Sequence, residues 1–166
     1  MPTALLALRN VRKAYGPTNA LDGVDFEVVA GEVHALLGQN GSGKSTLMKV
    51  AFGEVVPDVG ELEVAGQTRH FRGPHDALSA GIAMVPQEIP SALDLSVTEN
   101  VLLGALPRRA GIVDWAAARK LAAQALSELD AELDVRAKVR SLPPHDRQLV
   151  AIAHALATGS RVMIFD

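Results

Sequence analysis

The sequence predicts an α/β fold with a helical insert, on three observations. Strand-like apolar segments fill roughly residues 1–35, helical periodicity dominates after about residue 96, and an apolar run, Val162 to Phe165, returns the chain to sheet. A β-rich start, a helical middle and a closing strand fit a sheet core interrupted by helices. Composition fits a folded chain as well. Of 166 residues, 48% are hydrophobic and 21% charged, which argues against disorder. Aromatic residues are only 4%, so the core has to be built from Ala, Leu and Val.

Taken in order, LLALRNV, VDFEVV and the wholly apolar VHALL read as strands, with GPTNALDG and AGE as the turns between them. The segment after GSGKS reads as a helix: Leu47, Val50 and Ala51 share a face and Gly53 stands at its C-terminal stop. PDVG turns the chain into the strand ELEVAG, and TRHF is a further strand. GPHDALSAG is a short helix opened by Pro74 and closed by Gly81, followed by a buried strand, IAMV.

The helical stretch opens at SVTENVLLG, where Ser96 and Glu99 have the spacing of a capping box. In DWAAARKLAAQALSEL, Asp114 is the expected N-cap, and Trp115, Ala118, Leu121, Ala122, Ala125, Leu126 and Leu129 fall at inward-facing helical spacing. DRQLVAIAHALATG forms the last helix, with Leu149, Ile152, Ala153 and Leu156 inward and Gly159 at its end. RVMIF is then a buried strand carrying Asp166 at its tip.

Charge and cysteine usage narrow the function. A net charge of -3 and a pI near 5.9 give no overall attraction to nucleic acid or anionic lipid, so nucleic acid is not an expected partner. The absence of cysteine removes disulfides and thiolate metal sites and suits a reducing compartment. ALLAL is too short for a signal-peptide core, and no apolar run reaches the length of a membrane span. The expected location is cytoplasmic. The five histidines show no ligand spacing with carboxylates, so no structural metal is expected.

GQNGSGKS, Gly38 to Ser45, matches the phosphate-binding pattern G-x-x-x-x-G-K-[ST] at every fixed position, between an expected strand and an expected helix. Glycines let backbone N–H groups converge on phosphate oxygens where side chains would collide, and the following helix N-terminus adds partial positive charge. Gly38, Gln39, Asn40, Gly41, Ser42, Gly43, Lys44, Ser45 and Thr46 are thus the candidate nucleotide-binding residues. Lys44 would reach the β and γ phosphates, and the Ser45 hydroxyl would ligate Mg²⁺. Such a loop needs a carboxylate at the end of another buried strand to complete the metal's surroundings, and Asp166 is placed for that role. An Asp at a strand end with no function is the plain alternative, which the phosphate loop disfavours.

These segments resemble the ATP-binding subunits of ABC transporters, within them the importers of monosaccharides and related nucleosides. The resemblance is carried by ALDGVDFEVVAGEVHALLGQNGSGKSTLMKV, FRGPHDALSAGIAMVPQE, LSVTENVLLG and RQLVAIAHALATGSRVMIFD, nearly the whole chain. It implies a P-loop NTPase core of RecA type with an antiparallel β subdomain and an inserted helical subdomain. About residues 1–86 and 160–166 would form core and β subdomain, and about 87–159 the helical subdomain that docks on transmembrane permease subunits. ATP and Mg²⁺ are the implied ligands. A second ATPase half is an implied partner, and the inner face of the cell membrane the implied location. Tyr15 stands where the family stacks a ring on adenine, and Gln87 matches the glutamine that touches Mg²⁺ or the attacking water.

Two departures from the family pattern modify the expected activity. The family's signature, typically Leu-Ser-Gly-Gly-Gln, is here LPPHD: Leu142 is kept, Pro143 replaces the serine donor, and His145 stands in place of a glycine. Proline has neither hydroxyl nor N–H, and Asp146 opposes a phosphate, so this segment is expected to contribute poorly to a composite ATP site. The alternative is an ordinary helix start capped by Asp146. The other departure is that the family's glutamate, interdomain loop and histidine, all beyond the aspartate that Asp166 matches, have no counterpart here. On that resemblance the chain is expected to be most of a first ATPase half, incomplete at its C-terminus and slow or inactive in hydrolysis. Its last strand is expected to self-associate or be disordered. A non-hydrolysing regulatory half and a soluble ATPase of this type in DNA repair or translation stay open as alternatives. A GTPase is disfavoured by the lack of an Asn-Lys-x-Asp segment.

Overall fold

The computed structural model describes residues 4–86 and 92–165, which fall into two compact units, one over residues 1–83 and the other over 84–165. The first is built on an antiparallel four-stranded sheet. Its two long strands are β1 (Ala4–Tyr15) and β2 (Thr18–Val29), joined by a turn at Gly16 and Pro17. GPTNALDG is therefore mostly strand rather than turn. Leu21 is buried opposite Lys13, and Tyr15 pairs with Thr18, so the hairpin closes at two residues instead of eight.

Chain order continues with α1 (Lys44–Ala51), β3 (Val59–Val64), β4 (Gln67–Arg69) and α2 (Pro74–Ser79). The sheet order is β2-β1-β3-β4. Leu6 faces Val28 and Val64, and Leu8 faces Phe26 and Leu62, so both β1 leucines sit between apolar partners and are fully buried. Favourable cross-strand pairs contribute about 0.2–1 kcal/mol each relative to an Ala–Ala pair. TRHF is strand only through Arg69.

Leu47, Val50 and Ala51 are the buried face of α1, as their spacing predicts. Its stop is Gly53 at φ +74°, and a Cβ there would lie 2.7 Å from the Phe71 Cβ.

VHALL is not a strand. No residue from Val33 to Leu37 joins a ladder among the described residues, and Val33 and Leu37 are 99% and 91% exposed. An apolar run becomes a strand only when neighbouring backbones take up its N–H and C=O groups. His34 meets Phe26 of β2 edge-on with centroids 4.9 Å apart, and its Nδ1 lies 3.0 Å from Glu32.

Residues of the second unit begin within β5 (Ile82–Val85) and run through α3 (Val97–Val101), β6 (Arg108–Arg109), β7 (Ile112–Val113), α4 (Trp115–Ser127) and α5 (Pro144–Ala157) to β8 (Val162–Phe165). β5 and β8 are neighbours in a two-stranded sheet. Val162 is buried, Met163 and Ile164 are half-buried and Phe165 is 56% exposed, so cover is lost toward the end of the strand, where a fully buried strand was expected.

The helices pack through Val97 and Val101 of α3, Ala118, Ala122, Ala125 and Leu126 of α4, and Val150 and Ala153 of α5. Small alanines on α4 let its neighbours approach closely. Trp115 and Leu121, expected inward, are instead exposed by nearly half: Trp115 is the first helical residue, and Leu121 lies at the edge of the alanine stripe. On α5 the fully buried positions are Val150, Ala153 and Ala155, while Leu149, Ile152 and Leu156 are half-buried. The packed face is thus rotated from the one expected.

Local chemistry fixes the helix starts. The Ser96 hydroxyl and backbone N–H both donate to Glu99, and the Glu99 N–H donates to Ser96 Oγ, completing the capping box. Asp114 accepts from the N–H groups of Ala116 and Ala117. Buried Asn100 accepts from the Ala92 N–H and donates to the Ala92 and Ser96 carbonyls, which leaves none of its polar atoms stranded.

Candidate functional site

The glycine-rich loop and Tyr15 both belong to the first unit. What ties them together is the β1–β2 hairpin. Gly43, just before α1, passes so close to β2 that a Cβ on it would lie 2.3 Å from the Ala20 carbonyl oxygen and 3.1 Å from Leu21 Cδ2. Ala20 is two residues past Thr18, the partner of Tyr15, so the helix start and the Tyr15 end of the hairpin share one neighbourhood.

Within the loop, Gly41 and Gly43 adopt φ of +81° and +89°, a region that L side chains avoid. At Gly38 a Cβ would lie 2.7 Å from Ser42 Oγ, so a side chain there would have to turn the Ser42 hydroxyl away. The Lys44 ammonium folds back into the loop, donating to the Gly38 and Gln39 carbonyls at 2.7 Å each, and the Ser42 N–H donates to the Gln39 carbonyl. The first backbone bond of α1 is from the Leu47 N–H to the Gly43 carbonyl, so the N–H groups of Lys44, Ser45 and Thr46 have no intrahelical partner. The loop thus brings together three helix-start amides, the Lys44 ammonium and the positive end of a helix, with the Ser42 and Lys44 side chains lying inside it. That is the chemistry of a polyphosphate cradle.

Asn40 is exposed at the loop's tip and Ser45 at the second position of α1. Tyr15 ends β1 and is 50% exposed, with the Lys13 ammonium 5.8 Å from its ring centroid. Gln87 and Asp166 lie outside the described residues.

The LPPHD segment is the start of α5. Its N-cap is Pro143 with no side-chain capping bond, and Asp146 sits at the third helical position, 2.8 Å from His145 Nε2, so Asp146 is not the cap. Arg147 ties the segment down by donating to the Leu142 and Arg140 carbonyls.

Lys13 and Asp58 were not singled out by sequence reasoning. Alternation along β1 places Lys13 on the same face as Tyr15 and could have found it. Asp58 could not be found that way, because its relation to β1 depends on the pairing of β1 with β3.

Residues 21–166 match the family described as ABC transporter. The chain is 47% identical over 164 residues to the ribose import ATP-binding protein RbsA of Chelativorans sp., an alignment covering 99% of this chain and 32% of that protein. Of the solved structures, cbiO1 from Clostridium perfringens, part of the ABC transporter complex cbiONQ, superposes with a TM-score of 0.82 at 27% identity, over 99% of this chain and 65% of that one. The ATP-binding cassette MJ0796, in a dimeric post-hydrolysis state bound to ADP and Pi, superposes with a TM-score of 0.78 at 27% identity, over 97% and 73% of the two chains. The chain spans about a third of the length of the curated relatives it matches. With this match along most of its length and these superpositions, the chain has the P-loop NTPase fold and belongs to the ABC transporter family.

Proposed function

We propose that this chain is the ATP-binding portion of the energy-coupling subunit of an ABC importer for sugars. The observation that carries the reading is the loop from Gly38 to Ser45, where Lys44 already occupies the loop's interior and three helix-start N–H groups are free to receive phosphate oxygens. The kinship with a ribose import protein supports the substrate class, and the ADP and Pi held by the related cassette support a nucleotide in the cradle.

In this reading Lys44 trades its two carbonyl contacts for the β and γ phosphates, and Tyr15 stacks on the base. The donor set suits a hard cation: a hydroxyl from Ser45, an amide oxygen from Gln87 and a carboxylate from Asp166 are all oxygen ligands. Mg²⁺, when bound, supplies charge neutralisation between the phosphates. Residues of about 87–159 form the helical portion that docks on permease subunits, and a second ATPase half completes the catalytic arrangement. No helix among the described residues is long and apolar enough to cross a membrane, which is compatible with a peripheral place on the cytoplasmic face.

The segment at the start of α5 favours a second reading for one site. Pro143 offers neither hydroxyl nor N–H, and the Asp146 carboxylate lies where a phosphate would meet like charge. A composite site using this segment would bind nucleotide and hydrolyse it slowly. Restoring Ser-Gly-Gly-Gln in the complete protein should raise ATPase activity, and an unchanged rate counts against a weakened site. The cradle itself is tested by Lys44→Ala: nucleotide affinity should fall at least about tenfold. A variant that holds ATP as tightly as the parent overturns the assignment.

A further inference from the structure

We infer that Asp58 is a positioning residue for Tyr15, holding the end of β1 so that one face of the aromatic ring is turned toward a nucleotide base. The inference rests on the reading that Tyr15 stacks on that base. The last paired residues of β1 and β3 are Arg12 and Val59. Beyond them Asp58 continues the ladder on its own. Its N–H donates to the Arg12 carbonyl at 2.9 Å, its Oδ1 accepts from Lys13 Nζ at 2.7 Å, and its Oδ2 accepts from the Ala14 N–H at 2.8 Å. Three successive residues of β1 are thus each tied to one aspartate, and Tyr15 comes next.

The Lys13 bond matters most for the ring. Lys13 and Tyr15 lie on the same face of the strand, and the ammonium sits over the ring, 5.8 Å from its centroid. A lysine side chain has several rotatable bonds and would normally sweep through solvent. Held by Asp58, its side chain is only 18% exposed. One ring face is therefore taken by a cation, and a base is directed to the other. The Asp58 carboxyl is held below the usual carboxylate range, first by Lys13 and then by the Ala14 N–H, so it is ionised at neutral pH.

Tyr15 is the only tyrosine in the chain, so incorporation of fluorotyrosine gives a single ¹⁹F resonance that reports this ring alone. The experiment compares binding of ATP and of inorganic tripolyphosphate to the whole chain. Asp58→Asn keeps an oxygen for the Ala14 N–H and removes the charge that holds Lys13. It should shift the unliganded resonance and weaken ATP binding by about three- to tenfold while leaving tripolyphosphate binding unchanged. Lys13→Gln should act in the same direction and serves should Asp58→Asn fail to fold. If Tyr15→Ala lowers the ratio of ATP to tripolyphosphate affinity but neither Asp58→Asn nor Lys13→Gln does, Asp58 is a strand-end contact only and the inference is wrong. If Tyr15→Ala itself leaves the ratio unchanged, base stacking fails and the inference falls with it. Equal losses for both ligands in Asp58→Asn would also overturn it, as general loosening of the unit.

Discussion

Gly43 and Ala20 come so close that the hydrogen on the glycine Cα cannot be exchanged for a carbon: a methyl there would lie 2.3 Å from the Ala20 carbonyl oxygen. The contact joins the start of α1 to the hairpin and so places the glycine-rich loop. Gly43→Ala has to relieve this clash and also hold alanine at φ +89°, for a cost of at least about 2 kcal/mol. Gly41→Ala, at φ +81° in open space, should cost only about 1 kcal/mol. Urea unfolding of the two variants side by side checks the ordering, and equal losses would deny the close approach.

The buried side chain of Asn100 stitches α3 to the backbone at Ala92 and Ser96. Asn100→Leu removes three hydrogen bonds and leaves the Ala92 amide without its partner, so the stability of the helical unit should fall by about 2–4 kcal/mol. Circular dichroism on thermal unfolding would register the change, and a shift within error would mean the network is not formed.

The capping box predicts a pH dependence. The Ser96 hydroxyl first, and the Ser96 N–H second, hold the Glu99 carboxyl below its ordinary value. A carboxylate with a depressed folded-state value stabilises the fold above the unfolded value and loses that stabilisation as pH falls through the folded one. The parent should therefore lose stability on acidification from the ordinary glutamate range downward. Glu99→Gln should flatten that part of the profile, and Ser96→Ala should cost about 1 kcal/mol at neutral pH. Identical acid profiles for parent and Glu99→Gln would remove Glu99 as the source.

Val33, Leu37 and Phe165 leave apolar surface open to solvent. Exposed apolar strand-forming segments favour association between copies. Leu37→Thr together with Phe165→Thr should leave unfolding within about 0.5 kcal/mol of the parent, since neither side chain is buried. Sedimentation velocity should show less self-association in the double variant. A parent that sediments as a monomer at high concentration would rule out this route.

What was legible in the sequence is local chemistry. The capping pair Ser96 and Glu99, and Asp114 at the start of α4, each depend on residues within a few positions of one another, and each forms as the spacing dictates; the pattern from Gly38 to Ser45 is local in the same way. NALDG carries turn residues, yet Leu21 is drawn into strand by burial and by pairing with β1. VHALL failed in the opposite direction. Its propensity is that of a strand, but no neighbouring backbone among the described residues accepts it.

The sequence by itself determined that this chain carries the glycine-rich pattern GQNGSGKS of the ABC family, between a β-rich beginning and a helical second half. Glycine freedom, lysine charge and helix periodicity are properties of residues and of their near neighbours. Only the tertiary structure decided which strand approaches Gly43, that α5 packs through Val150 rather than Leu149, and that Asp58 reaches Lys13 across the sheet. Those relations join residues that are far apart in the chain. They follow from which surfaces are buried together, and burial is a property of the whole unit that no short window of sequence contains.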